Sequence, residues 1–137
     1  MTVALSQNKT LDRYLTLSEI SWSQLEQLET ILETVEGVKL IYLDGILEIM
    51  APSPDREEYK STLSLLVEAH MREAKVRFYK KGSSTLGSEE KKVKKEPDES
   101  YSIGTKKEIP DLAIEIVLTS GGIDKLQLYQ RLGVPEI

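Results

Sequence analysis

The stretch Pro110–Thr119, PDLAIEIVLT, reads as a buried strand that carries one acid in its middle. Side chains alternate along a strand, so Leu112, Ile114, Ile116 and Leu118 share one face and Ala113, Glu115 and Val117 the other. So continuous an apolar run implies that both faces are covered. Glu115 then lies where an ionised carboxylate is costly unless it is paired, hydrogen-bonded or bound to a cation. Upstream, residues 38–50, VKLIYLDGILEIM, hold two β-rich runs, Val38–Leu43 and Ile46–Met50, around Asp44-Gly45. That dipeptide is a strong hairpin signal because both turn positions need positive φ.

Helices flank these strands. Ser21-Trp-Ser-Gln24 forms a capping box. Trp22, Leu25, Leu28, Ile31, Leu32 and Val35 follow at helical spacing, up to Gly37. A second helix is expected over about 55–76, capped by Ser53 or Asp55, with Leu63, Leu66, Val67, His70 and Ala74 near one stripe. Shorter strands are expected at 77–79, 83–86 and 97–103, with a lysine-rich loop or hairpin over 87–96. Ser120-Gly121-Gly122 breaks the apolar run, and a last helix spans 123–132 before Gly133. Residues 1–15 show no period and read as a loose arm. The order helix, hairpin, helix, strands, helix predicts an α/β (α+β) domain built on a single mixed sheet.

At 137 residues the chain suits one domain. It has no cysteine, which excludes disulfides, thiolate zinc sites and a cysteine nucleophile, and it has one histidine, His70. No GxGxxG or Walker A sequence occurs. With no membrane-length apolar run and no signal pattern at the N-terminus, a cytoplasmic protein is expected. The net charge of −5 conceals an asymmetry. Residues 70–107 hold 11 basic and 6 acidic side chains, leaving −10 on the rest. A basic segment on an acidic chain suits a polyanion partner, or is simply a solvated lysine hairpin.

Asp111 shares the parity of Glu115, but four residues along a strand span about 13 Å, too far for one ion. A neighbouring strand, about 4.8 Å away, brings a partner closer. Asp98, in Glu96-Pro97-Asp98, stands where it could meet that distance, although Pro-Asp is also ordinary turn chemistry. Two carboxylates with water in the remaining positions suit Mg²⁺ or Mn²⁺. Lys125, in the first turn of the last helix, could steady a water or a phosphate oxygen. Glu57 and Glu58 could project from the second helix toward the sheet edge, or merely answer the helix dipole. For Glu115 the competing expectation is a buried ion pair with lysine or arginine.

The passages YLDGILEIMAPSPDREEYK, GSEEKKVKKEPDESY and IPDLAIEIVLTSGGIDKLQLYQRLGVPE closely resemble the Uma-two family over about residues 40–137. This large bacterial family is assigned to the restriction endonucleases, within the PD-(D/E)XK nuclease superfamily. The resemblance implies a restriction-endonuclease-like central mixed sheet flanked by helices, and Mg²⁺- or Mn²⁺-dependent hydrolysis of DNA. By position it implies metal ligation by Asp98 and Glu115. The superfamily lysine normally lies two residues past that Glu, where this chain has Val117; a lysine on the following helix, here Lys125, takes its place. The carboxylate beside the Ser-Pro-Ser motif matches Glu57. Lys91, Lys92, Lys94 and Lys95 are then expected on DNA phosphates, and a homodimer is the expected assembly.

Two departures stand out. Arg56 replaces the family's usual His, and Ala51 stands where Ser is common. Family members also continue past Gly-Val-Pro-Glu into a Trp-bearing strand, whereas this sequence stops at Ile137, so a C-terminally short fold is expected. The alternative expectation is a catalytically inactive or truncated member acting as a DNA-binding or dimeric accessory protein.

Overall fold

The computed structural model describes residues 11–119 and 121–137. In chain order the elements are β1 (Arg13–Leu17), α1 (Trp22–Leu32), β2 (Lys39–Leu43), β3 (Ile46–Ala51) and α2 (Arg56–Glu73). They continue with β4 (Phe78–Lys80), β5 (Leu86–Ser88), β6 (Val93–Lys95), β7 (Glu99–Ile103), β8 (Leu112–Ile114) and α3 (Lys125–Leu132). The fold is α+β.

The β2–β3 hairpin sets the architecture. Its Asp44-Gly45 turn has positive φ at both residues, 49° and 84°, and Leu43 pairs with Ile46 across it. Alternation then divides the apolar side chains. Ile41, Leu43 and Met50 join Leu86, Val93 and the inner face of α3, namely Leu128, Tyr129 and Leu132. Leu40, Tyr42, Leu47 and Ile49 join Trp22, Leu25 and Leu28 of α1. The hairpin's sheet is thus covered by a helix on each face. A third cluster packs Met71 of α2 against Tyr101, Ile114 and Ile116. The caps follow the sequence: Ser21 Oγ accepts the Gln24 amide at 3.1 Å, and Gln24 accepts the Ser21 amide at 2.9 Å. Gly133 ends α3 in the left-handed region, φ 82°.

The strands divide between two sheets instead of forming one central mixed sheet. One runs β1-β3-β2-β6-β5 and the other β4-β7-β8, with every strand pair antiparallel. Among the described residues the parallel element is an isolated bridge, Leu112 to Glu136. The chain changes sheets between β6 and β7 at Glu96-Pro97-Asp98, where Pro97 has no amide to continue a ladder.

Other elements also shift from expectation. Residues 13–15 of the predicted arm belong to β1, with Tyr14 opposite Met50; residues 1–10 lie outside the described part. RYLTL hides its strand because Tyr14 and Leu17 are half-buried on opposite faces while Leu15 is exposed. α1 stops at Leu32, short of Gly37. Residues 87–96, by contrast, take the second of their two expected forms, the β5–β6 hairpin. His70 is exposed, because α2 buries Ser64 and Met71 instead. The long strand expected over 110–119 narrows to Leu112–Ile114. Its alternation nevertheless persists, since Ile116 and Leu118 stay in the cluster of Ile114. The Ile116 amide is satisfied by the Asp98 carboxylate at 2.7 Å, not by a strand.

Left-handed backbone costs an L side chain about 1–2 kcal/mol. Gly45→Ala is therefore expected to lower unfolding stability by about 1 kcal/mol, read as a lower urea midpoint at unchanged slope.

Candidate functional site

Four buried carboxylates collect where the two sheets meet α2 and α3. Glu48 lies on β3 between Ile46 and Met50, on the face that α3 covers, and is fully buried. Its Oε1 accepts the Ile123 amide at 2.5 Å, and its Oε2 meets Lys125 Nζ at 3.3 Å. Gly121 makes this approach feasible: a Cβ there would sit 2.4 Å from Glu48 Oε2. Lys125, the first residue of α3, also lies over the Tyr14 ring, 5.4 Å from its centroid.

Asp98 emerges from the sheet change. Glu99 pairs with Ile114, so one further step sets Asp98 against Glu115. Asp98 Oδ2 accepts the Ile116 amide and pairs with Arg56 Nη1. The same guanidinium holds Asp12, with Nη2 to Oδ2 at 2.5 Å and Nε to Oδ1 at 3.2 Å. Asp12 also accepts the Ser53 amide at 2.8 Å. Glu115 is bound at both oxygens, by Lys95 Nζ at 2.7 Å and by the Tyr129 hydroxyl at 2.7 Å. A cavity of about 370 Å³, lined by Tyr14, Glu115, Thr119, Gly121 and Lys125 among others, opens beside this cluster. Thr119 Oγ1 is buried there with no hydrogen-bond partner among the described residues.

Of the sequence-predicted set, Glu115 and Lys125 line one cavity, and Asp98 stands one register step from Glu115. Glu57 does not join them: its side chain is 76% exposed and lies 3.7 Å from Lys60, away from the cavity. Adjacent helical residues point about 100° apart, and it is Arg56 that turns inward. The lysine expectation is also corrected. Lys95 is only 3% exposed and is engaged with Glu115, so it is not presented to a phosphate backbone. Lys94 pairs with Glu29 at 2.7 Å. Lys91 and Lys92 are exposed at the hairpin turn. Glu48, outside the predicted set, carries the same signal as Glu115, a lone acid within an apolar strand. Asp12, Tyr14 and Tyr129 carry no comparable signal in the sequence.

The electrostatics follow from burial and pairing. Burial, aided by the Asp12, Glu48 and Glu115 carboxylates, pushes the Tyr14 hydroxyl up to about 12. Burial and Glu115 likewise raise Tyr129. Both phenols therefore stay protonated and serve as donors. Burial works against the Arg56 charge, but Asp12 and Asp98 outweigh it. Burial also raises the Asp12 carboxyl, yet Arg56 and the Ser53 amide outweigh that and hold it below its ordinary value. Four acids face three cations, Arg56, Lys95 and Lys125, which leaves one negative charge.

Among the described residues no three His, Cys, Asp or Glu side chains are grouped to hold a metal ion. Asp98 and Glu115 supply oxygen donors of the type a hard divalent ion such as Mg²⁺ takes, but each is already engaged by a cation, Arg56 and Lys95. They do not form a closed cage.

Asp12 is depressed in the folded state, so its contribution is present above the unfolded carboxylate value and is lost as pH falls through the folded one. Asp12→Asn is expected to flatten the decline in melting temperature below about pH 4. It should also cost about 3 kcal/mol at neutral pH by leaving the Arg56 charge half-paired. Gly121→Ala should displace the Glu48 carboxylate and destabilise the fold by about 1–3 kcal/mol, measurable in urea.

No curated protein and no solved structure matches the chain. The Uma2 family model, described as "Putative restriction endonuclease", matches residues 22–137. That span includes Glu48, Arg56, Lys95, Asp98, Glu115, Lys125 and Tyr129, every residue of the buried cluster except those on and beside β1. Matched over most of its length, with the buried acids inside the match, the chain belongs to the Uma2 family.

Proposed function

We propose that the protein is an endonuclease that hydrolyses DNA phosphodiester bonds with Mg²⁺ or Mn²⁺. The observation that supports this is that Glu115 and Lys125 line one cavity while Asp98 stands one register step from Glu115. Asp98 and Glu115 would hold the ion, which when bound supplies water activation and neutralises charge on phosphoryl oxygens. The remaining chemistry belongs to the chain. Lys125 steadies the attacking water or a phosphate oxygen, and Glu48 holds its ammonium in place. The Tyr129 hydroxyl orients Glu115, and Arg56 with the Ile116 amide orients Asp98. Tyr14, protonated at neutral pH, is a donor at the cavity wall. The exposed Lys91 and Lys92 supply phosphate contacts, which add affinity but read no sequence. On this reading the protein works as a cytoplasmic homodimer. The exposed α2 side chains Tyr59, Leu63 and Leu66 offer apolar surface for a second copy to cover. No helix among the described residues is long and apolar enough to cross a membrane.

One observation favours a second reading, a DNA-binding accessory protein without catalysis: Arg56 and Lys95 already neutralise both proposed metal ligands. The two readings diverge on supercoiled plasmid. With MnCl₂ or MgCl₂ the nuclease nicks or linearises it, and Glu115→Gln or Asp98→Asn lowers the rate by about 100-fold or more. Lys125→Ala is expected to lose at least about tenfold. Undiminished cleavage by Glu115→Gln overturns the assignment. Salt-sensitive DNA binding with no response to metal supports the accessory protein instead.

A further inference from the structure

The two acids proposed to bind metal are neutralised in different ways. Arg56 is held by Asp12 at two atoms and would keep that pairing if Asp98 turned to another ligand. Among the described residues Lys95 has no such second anchor. Its ammonium is 2.7 Å from Glu115, and its other polar contact is the Glu96 carbonyl at 3.4 Å. The side chain is 3% exposed at the end of β6, and the Tyr129 ring lies 6.0 Å away. A buried ammonium with essentially one partner depends on that carboxylate for its charge compensation.

We infer that Lys95 is a resident counter-cation that competes with the divalent ion for Glu115, and so sets the metal affinity of the site. The inference rests on the metal-binding part of the nuclease reading. A dication at Glu115 would lie beside a fixed positive charge in a poorly solvated place, where like charges repel far more than in water. Binding must therefore expel the ammonium from the carboxylate. The cavity that Glu115 lines gives the ion room, but the cluster then holds three cations of its own against four acids. Without Lys95 the cluster would carry two negative charges, matching the ion.

The test is thermal unfolding of the full chain against MnCl₂ concentration, since a ligand that binds the folded state raises the melting temperature by an amount that grows with the logarithm of its concentration over its dissociation constant. Lys95→Met and Lys95→Gln remove the charge, and Gln retains a donor for Glu115 should Met leave too unstable a fold. Both are expected to reach a given Mn²⁺-induced shift at a metal concentration at least about tenfold lower than wild type. Lys95→Arg, which keeps the charge, should respond like wild type. Lys95→Gln combined with Glu115→Gln should lose the gain. A Mn²⁺ response in Lys95→Gln equal to or weaker than in wild type overturns this inference while leaving the nuclease reading intact. Absence of any Mn²⁺ response in wild type and in both neutral variants overturns both.

Discussion

The four carboxylates of one cluster lie cut off from bulk water in an apolar interior, and each must find a partner there. A buried charge left alone costs several kcal/mol, so the positions of Asp12, Glu48, Asp98 and Glu115 determine where Arg56, Lys95 and Lys125 must go. The resulting links cross the whole molecule. Arg56 ties β1 to the turn before β7, Lys95 ties β6 to the residue after β8, and Lys125 ties α3 to β3. Backbone amides complete the set, with Ile116 on Asp98, Ile123 on Glu48 and Ser53 on Asp12. The polar cluster is thus part of what registers the two sheets and helices α2 and α3 to one another.

A network of this kind seldom arises from stability alone. Replacing a buried ion pair by apolar side chains of similar volume is often neutral or stabilising, so several such pairs in one small domain point toward use. Their arrangement agrees with hydrolytic chemistry: acids from separate strands, a lysine at a helix start, phenols kept protonated by burial, and an adjoining cavity. The same arrangement departs from a simple open metal site, because each acid is already answered by a cation. Arg56 is the clearest departure, because its guanidinium gives the cluster a permanent charge.

Legibility in the sequence followed the type of signal. Asp44-Gly45 between β-rich runs specified the hairpin through backbone φ, and Ser21 with Gln24 specified the start of α1 through side-chain capping. Lone acids in apolar strands are just as local a signal. It singles out Glu115, and it holds equally for Glu48. The inward turn of Lys95 has no local signature, since Lys91, Lys92, Lys94 and Lys95 form one solvated-looking run. Strand alternation alone does not say which of them faces a buried acid 20 residues further on. Glu57 and Arg56 differ by one helical position, so their roles depend on how α2 is rotated against the sheets.

By itself, then, the chain's order of residues determined the local elements, the α+β class and the family, because hydrogen bonding, turn geometry and alternation act over a few neighbours. Only the tertiary structure decided that the strands divide between two sheets, that β1 and the residue before it bring Tyr14 and Asp12 to the cluster, and that Arg56 and Lys95 enter it. Those outcomes depend on which charge lies nearest to which across gaps of up to 86 residues, from Asp12 to Asp98 through Arg56. Pairing energy in a poorly solvated interior is a property of distance in space, and no local pattern in the chain encodes it.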